Sequence, residues 1–364
     1  MRGSGAGQPS TRDRRAAARR AREHLRHGGR EVKRRSVEKS KRRNGGSFGH
    51  SGRQQPRGHL LTERRNPRTV GLDDMDIGRA FDVMNAEDCS VPIAVAKAKS
   101  AIVRAIALVS SAWQEGGRLI YVGAGTSGRL GVLDASECPP TFRSDPRMVR
   151  GVIAGGRKAL WRSVEGAEDE KAAGAEAVKA LGVGRRDVVM GIASGGTTPY
   201  VHAALAAARR LGARTIFFAC VPVSQVRVAC DVDIRVLTGP EVVTGSTRLK
   251  AGTATKLVLN MITTLSMVRL GKTYGNLMVD LNSYACRKLT DRATRVIMEA
   301  TAVDRARAAR LLHDARGRAK TAIVMALRGL NRSKAEALLE RCGGSVRGAL
   351  ARSRDLHRTA PAPE

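Results

Sequence analysis

From about residue 60 onward, apolar positions fall into two textures, short unbroken runs and longer stretches with a helical period. The runs are Arg118–Val122, Val149–Ala154, Asp187–Ala193, Thr215–Ala219 and Asp233–Leu237, each followed by small residues. Apolar runs without polar alternation read as strands buried on both faces. Two helices are expected before them, Met75–Met84 and Val91–Trp113. The second carries Ile93, Val95, Ala98, Ile102, Ile106 and Val109 at helical spacing. Lys250–Leu270 predicts a long helix with Leu257, Met261, Leu265 and Val268 on or near one apolar stripe. Beyond residue 300 the texture is wholly helical, over Asp304–Ala315, Ala319–Leu327, Ser333–Arg341 and Val346–Arg352. Strands alternating with helices predict an α/β fold of three layers, a parallel sheet flanked by helices, plus a small C-terminal all-helical subdomain. Ligands in such sheets sit at the carboxyl ends of the strands.

Composition changes this picture at the N-terminus. Residues 1–58 hold 18 Lys and Arg against 4 Asp and Glu, with almost nothing to bury. Such a segment cannot offset its ordering entropy and is expected to be a disordered basic extension, with a transient helix over Arg14–Arg26. An over-extended start site or an organelle transit peptide would have the same texture, the transit peptide being disfavoured. Residues 353–364, with Pro361 and Pro363, read as a tail. The formal net charge of +32 invites a nucleic-acid reading. Arg outnumbers Lys throughout, as coding bias produces, and no aromatic-rich strand or reading helix accompanies the charge. A basic enzyme with a basic tail, and no specific nucleic-acid partner, is the reading that follows.

Aromatics make up 3% of the chain, so Val, Leu, Ile and Ala must fill the core. Six cysteines are scattered without zinc-ligand spacing, which suits free thiols in a reducing cytosol. No apolar run approaches the ~20 residues that span a bilayer. The N-terminus lacks the apolar core of a secretory signal. A cytoplasmic location is expected, with no membrane partner.

Five segments could carry chemistry. Tyr121–Gly131 (YVGAGTSGRLG) leaves a strand and opens a helix, where glycines bring backbone N–H groups close to an anion. Thr126 and Ser127 add hydroxyls. Gly123, Gly125 and Gly128 satisfy a dinucleotide spacing, but Asp134 and Glu137 come too early for the ribose-binding acid, so a monophosphate is preferred to NAD. The alternative is a tight turn without a ligand. Asp134–Thr141 places Glu137 just before Pro139 and Pro140, on what reads as a stiffened loop suited to a general acid or base. Taken alone, Glu137 would equally serve as a surface or capping residue. Ser163–Glu170 offers a second carboxylate, with helix capping as the alternative for Glu168, Asp169 and Glu170. Ser194–Pro199 (SGGTTP) reads as a second anion-binding turn. Gly239–Lys256 leads hydroxyls, Arg248 and Lys250 into the long helix, where Ser246 or Thr247 could instead be its cap.

Four stretches together resemble one family. Gly123–Thr141 (GAGTSGRLGVLDASECPPT), Val164–Asp169 (VEGAED), Gly239–Lys256 (GPEVVTGSTRLKAGTATK) and Tyr274–Asp280 (YGNLMVD) look like the bacterial N-acetylmuramic acid 6-phosphate etherases, relatives of the glucokinase regulatory proteins. The resemblance runs from about Leu61, with Thr62–Asn66 matching the family's opening, to about Arg352. It implies a sugar-isomerase-type (SIS) domain over 59–298 including its N-terminal helices, and a helical subdomain over 299–352. It also implies a homodimer with sites near the subunit interface, and no metal or organic cofactor. The implied substrate is a small sugar phosphate whose D-lactyl ether is cleaved during recycling of cell-wall amino sugars. By position, Glu137 matches the acid that protonates the departing lactate, and Glu168 the second catalytic glutamate. Thr126, Ser127, Ser194, Thr198, Ser246, Thr247 and Lys250 would bind substrate.

Two loops depart from the family pattern. Gly195 and Thr197 stand where the family usually has serine and arginine, and Val221 and Val223 where it has asparagine and glycine. Both changes fall on strand-end loops and bear on substrate affinity. They keep a second reading open, a non-catalytic sugar-phosphate-binding regulator.

Overall fold

The structure is a computed structural model that describes residues 57–351. The expected helix over Arg14–Arg26, the tail at 353–364 and nearly all of the 1–58 extension lie outside the described residues. Strands β1 (Leu119–Gly123), β2 (Val149–Ile153), β3 (Val188–Ile192), β4 (Arg214–Ala219) and β5 (Val232–Arg235) form a parallel sheet in the order β2-β1-β3-β4-β5. Two of the three interior strands, β1 and β3, are buried at every position. That is why they carry no polar alternation: side chains on both faces meet helices.

Helices α1 (Ile77–Asp88), α2 (Ser90–Lys97) and α3 (Lys99–Gln114) precede the sheet, α4 (Gly125–Phe142) follows β1, and α5 (Lys171–Ala180) follows β2. Helix α6 (Pro199–Arg210) joins β3 to β4, and α7 (Lys250–Arg269) follows β5. One face of the sheet is covered by α2, α3, α4 and α7 around Val95, Ile106, Leu119, Met190 and Ile262. The other is covered by α5 and α6 around Ile120, Val189, Val201, Leu205 and Phe217. The expected three-layer arrangement is therefore present. The chain leaves β1 over one face and β3 over the other, in opposite directions along the sheet. This opens a crevice at their carboxyl ends, the usual position of a ligand in such folds.

Three expectations are corrected. Val91–Trp113 is two helices, broken at Ala98 (φ −89°, ψ 7°). The break re-phases the segment: Val91 and Val95 are buried, while Ile93 points outward and is 62% exposed. On α7 the core face is Ala251, Ala254, Val258, Ile262 and Met267, whereas Met261, Leu265 and Val268 are 39%, 46% and 41% exposed. Ala251 and Ala254 open this face and Val258, Ile262 and Met267 continue it, where α7 packs between α3 and α4. The third concerns Glu137: α4 continues through Pro139 and Pro140 to Phe142, so this carboxylate lies on a helix and not on a loop. The helix stops where Arg143 takes the left-handed conformation (φ 49°) and donates to Pro139 O at 2.8 Å.

Beyond α7 a short hairpin, β6 (Thr273–Tyr274) with β7 (Leu277–Met278), turns at Gly275 (φ 57°). Helices α8 (Arg287–Thr301), α9 (Arg305–Asp314), α10 (Ala319–Arg328), α11 (Arg332–Arg341) and α12 (Val346–Ala351) follow. Helix α8, which the apolar pattern did not reveal, packs with the rest around Ile297, Leu311, Ile323 and Val346. Asp304 and Asn331 cap α9 and α11 by accepting from Arg307 N and Lys334 N, as helix-start residues of these types do.

Candidate active site

The glycine loop between β1 and α4 forms because two backbones touch. A Cβ on Gly123 would lie 2.7 Å from Gly128 N, and one on Gly128 would lie 2.8 Å from Gly123 O. Only glycine at both positions lets the helix start directly on the strand end. Ala124 offers no side-chain cap. The first-turn N–H groups of α4 thus have no partner within the helix and point out of its positive end.

The crevice predicted by the topology is lined from both of its strands. Ser127, after β1, and Ser194, after β3, are both buried, with their hydroxyl oxygens 3.5 Å apart. Thr126 is half-buried beside Ser127. The Ser194–Thr198 loop turns at Gly196 (φ 80°), whose carbonyl lies 2.6 Å from His202 Nε2. Thr198 begins α6 without a side-chain capping bond, and Pro199 has no N–H, so the hydroxyl of Thr198 is not spent on its own helix. Val221, one of the departures, is fully buried and packs at Gly196, where a Cβ would meet it at 3.0 Å.

A strap formed by residues 57–70 crosses these strand-end loops. Gln225 accepts from Leu61 N and donates to His59 O, both at 2.9 Å. Asn66 donates to Pro240 O, and the Thr69 hydroxyl to Val242 O. At its start, Arg57 Nη2 donates to Thr197 Oγ1 at 2.6 Å, and Nη1 lies 3.8 Å from Glu168 Oε1. Glu168 sits in a 3₁₀ turn, Ala167–Asp169, and is exposed. The capping alternative does not describe this segment, since α5 starts at Glu170 without a side-chain cap.

The lead-in to α7 is built differently from its sequence reading. Neither Ser246 nor Thr247, both half-buried, caps the helix. The buried Glu241 does so from outside, accepting from Lys250 N (3.0 Å) and Ala251 N (2.9 Å). Burial pushes this carboxyl up even though those two amides and Lys250 oppose the shift. Lys250 is 2% exposed, and its ammonium donates to Glu87 of α1. Burial alone would raise the Glu87 carboxyl, but the bond and charge of Lys250, helped by Asn66 and Arg68, hold it below the usual range. A cation placed by sequence in a substrate site is here committed to an internal ion pair.

Glu137 lies elsewhere. Eleven residues of helix separate it from Thr126, a rise of roughly 17 Å. It lines a cavity of about 540 Å³ between α4, α7 and the hairpin, with Asp134, Lys256, Asn260 and Thr263. Asp134 accepts from Tyr121 Oη (2.9 Å), Asn260 Nδ2 (2.7 Å) and Thr263 Oγ1 (3.2 Å). Burial raises its carboxyl and outweighs the lowering by these three donors. The structure thus brings Thr126, Ser127, Ser194, Thr198 and Glu168 to the strand-end side and leaves Glu137 three turns down α4. Sequence reasoning missed Asp134's buried network, although Gly131, Ala135 and Cys138 around it show the buried side of α4. It also missed Arg57, which nothing local marks out. Among the described residues, no group of three or more His, Cys, Asp or Glu is arranged to hold a metal ion. No described helix is long and apolar enough to cross a membrane.

The family model of the glucokinase regulatory protein N-terminal SIS domain matches residues 101–209. A phosphoheptose isomerase from Francisella tularensis superposes with a TM-score of 0.41 at 18% identity, over 55% of this chain and 99% of that one. The N-acetylmuramic acid 6-phosphate etherase of Crocosphaera subtropica is 52% identical over 296 residues, 81% of this chain and 97% of that protein. That of Synechococcus elongatus is 53% identical over 294 residues, 81% of this chain and 95% of its own length. An identity of 52% sustained over 81% of its length makes this chain a member of the N-acetylmuramic acid 6-phosphate etherase family.

Proposed function

We propose that the protein is a lyase that cleaves the D-lactyl ether of N-acetylmuramate 6-phosphate, giving N-acetylglucosamine 6-phosphate and D-lactate. Its place is cytoplasmic recycling of cell-wall amino sugars, and it needs no metal or organic cofactor. The observation that carries this reading is the sustained identity to relatives named for that activity. The crevice at Ser127 and Ser194 supports it, since hydroxyls and the open start of α4 suit the substrate's phosphate.

In the ring-opened sugar, the C2 proton lies next to an aldehyde and is acidic enough for a carboxylate base. Glu168 takes that proton, the C3–O bond breaks, and protonated Glu137 gives its proton to the departing lactate oxygen. Water then adds at C3 of the unsaturated aldehyde, Glu137 takes a proton from it, and Glu168 returns the proton at C2. One water is consumed, and each carboxyl ends as it began.

In one chain Glu137 lies roughly 17 Å along α4 from Thr126, whereas Glu168 pairs with Arg57 beside Thr197 on the strand-end side, which supports a shared site in a homodimer. Leu133 on α4, which lines the cavity beside Glu137, and Met261, Leu265 and Val268 on α7 are exposed apolar side chains suited to contact with a second subunit. An antiparallel pairing of α4 with its copy, crossing near Val132, would set one subunit's Glu137 opposite the other's Thr126.

Purified protein given N-acetylmuramate 6-phosphate should release D-lactate, and Glu137→Gln should reduce turnover by about 10²-fold or more. Turnover surviving that substitution would sink the assigned role. Stabilisation by sugar phosphates without any lactate release would favour the non-catalytic regulator instead.

A further inference from the structure

The anion-binding side of the crevice has an imbalance of charge. The Ser194–Thr198 loop contains no cation. Lys250, the nearest candidate by sequence, is buried against Glu87. Arg129, at the start of α4, donates Nε to Leu160 O after β2, on the side of β1 away from the Ser194–Thr198 loop. A phosphate seated by hydroxyls and amides alone would keep most of its charge uncompensated.

Arg57 lies over this loop. Its guanidinium donates to Thr197 Oγ1 at 2.6 Å and faces Glu168 at 3.8 Å, and its side chain is 49% exposed. A guanidinium presents five N–H donors in a planar fork, so one hydrogen bond and one loose ion pair do not exhaust it. A second observation points to the same place. Thr62 is fully buried, yet its hydroxyl has no hydrogen-bond partner. Both groups converge on Gly195: an ideal Cβ there would lie 3.5 Å from Thr62 Oγ1 and 3.8 Å from Arg57 Nη2. A buried polar group without a partner is costly, and one beside a guanidinium at an open crevice is suited to a ligand oxygen.

We propose that Arg57 forms the cationic wall of the phosphate pocket, with the Thr62 hydroxyl beside it, supplying from the N-terminal strap the charge that the Ser194–Thr198 loop lacks. The proposal rests on the sugar-phosphate reading of this crevice. It makes the strap part of the substrate site and makes recognition of the phosphate, rather than of the sugar ring, depend on Arg57. A bidentate guanidinium–phosphate contact is directional, so lysine should replace it only partly.

The test compares wild type, Arg57→Ala and Arg57→Lys in the full chain. Steady-state kinetics use N-acetylmuramate 6-phosphate, and calorimetry measures binding of N-acetylglucosamine 6-phosphate. Arg57→Ala should raise KM and weaken product binding by about 10- to 100-fold, with kcat changed only a few-fold, and Arg57→Lys should fall between. Unchanged KM and unchanged product affinity in Arg57→Ala would overturn the proposal, as would a fall in kcat alone. If wild type binds the sugar phosphate but releases no lactate, the etherase reading fails while the binding comparison still decides the role of Arg57.

Discussion

Two inactive variants of this protein should rescue each other. Glu137 lies eleven residues beyond Thr126 on α4, and at 1.5 Å per residue the two positions are roughly 17 Å apart along the helix. Glu168 stands on the strand-end side, paired with Arg57, which in turn binds Thr197. A six-carbon sugar phosphate cannot bring both carboxylates of one subunit to adjacent carbons across such a gap. In the two-fold arrangement proposed above, each site takes Glu168 from one subunit and Glu137 from the other. Glu137→Gln and Glu168→Gln should each be inactive alone. After subunit exchange in an equimolar mixture, half of the dimers contain one copy of each. In every mixed dimer one site has lost both glutamates and the other has kept both. About a quarter of wild-type activity should therefore return, with KM unchanged, because an isologous pair always has two equivalent sites. The assay is D-lactate release, with differently tagged variants used to confirm exchange. A mixture that exchanges fully and stays inactive would refute the shared site.

Two further predictions concern the scaffold. Lys250→Met removes the buried one of Glu87's two cationic partners, leaving Arg68 at 3.0 Å, and should destabilise the fold by about 3 kcal/mol in thermal melts, whereas adding Glu87→Gln should recover much of that loss. An unchanged melting temperature in Lys250→Met would mean that the ion pair does not form. Asp187 accepts from Arg118 Nη2 at 2.7 Å, and from Arg118 N and Gly184 N at 2.9 Å each. Burial alone would raise its carboxyl, but the Arg118 guanidinium and these amides outweigh burial and hold it below the usual range. A depressed carboxyl stabilises the fold above its unfolded value of about 3.9, and the contribution is lost as pH falls below that toward the folded value. Asp187→Asn should therefore be less stable than wild type at pH 7, with the gap in urea midpoints closing below about pH 4. A gap independent of pH would show that the charge plays no part.

The strands, the glycine turn and the four C-terminal helices from Asp304 onward were legible in the sequence because each depends on local physics. An unbroken apolar run can only be a segment buried on both sides, and Gly123 and Gly128 read as a helix starting against a strand end. The long helix was also visible, but its buried face was not. The stripe with Met261, Leu265 and Val268 lies outward, while the face that packs against α3 and α4 is Ala251, Ala254, Val258, Ile262 and Met267, a mixture of small and large residues that the apolar pattern alone does not single out. The same holds for Ile93, whose direction changes at the break on Ala98.

Side chains whose role depends on distant partners were beyond local reading. Lys250 resembles a ligand-binding cation until it meets Glu87, 163 positions away, and Arg57 belongs to a stretch that reads as unstructured until it meets Thr197, 140 positions away. Sequence by itself thus determined the architecture and the family to which the chain belongs, since both rest on contiguous patterns. Tertiary structure decided which charges are spent inside the protein and which face the crevice, because a charge's availability depends on the groups packed against it.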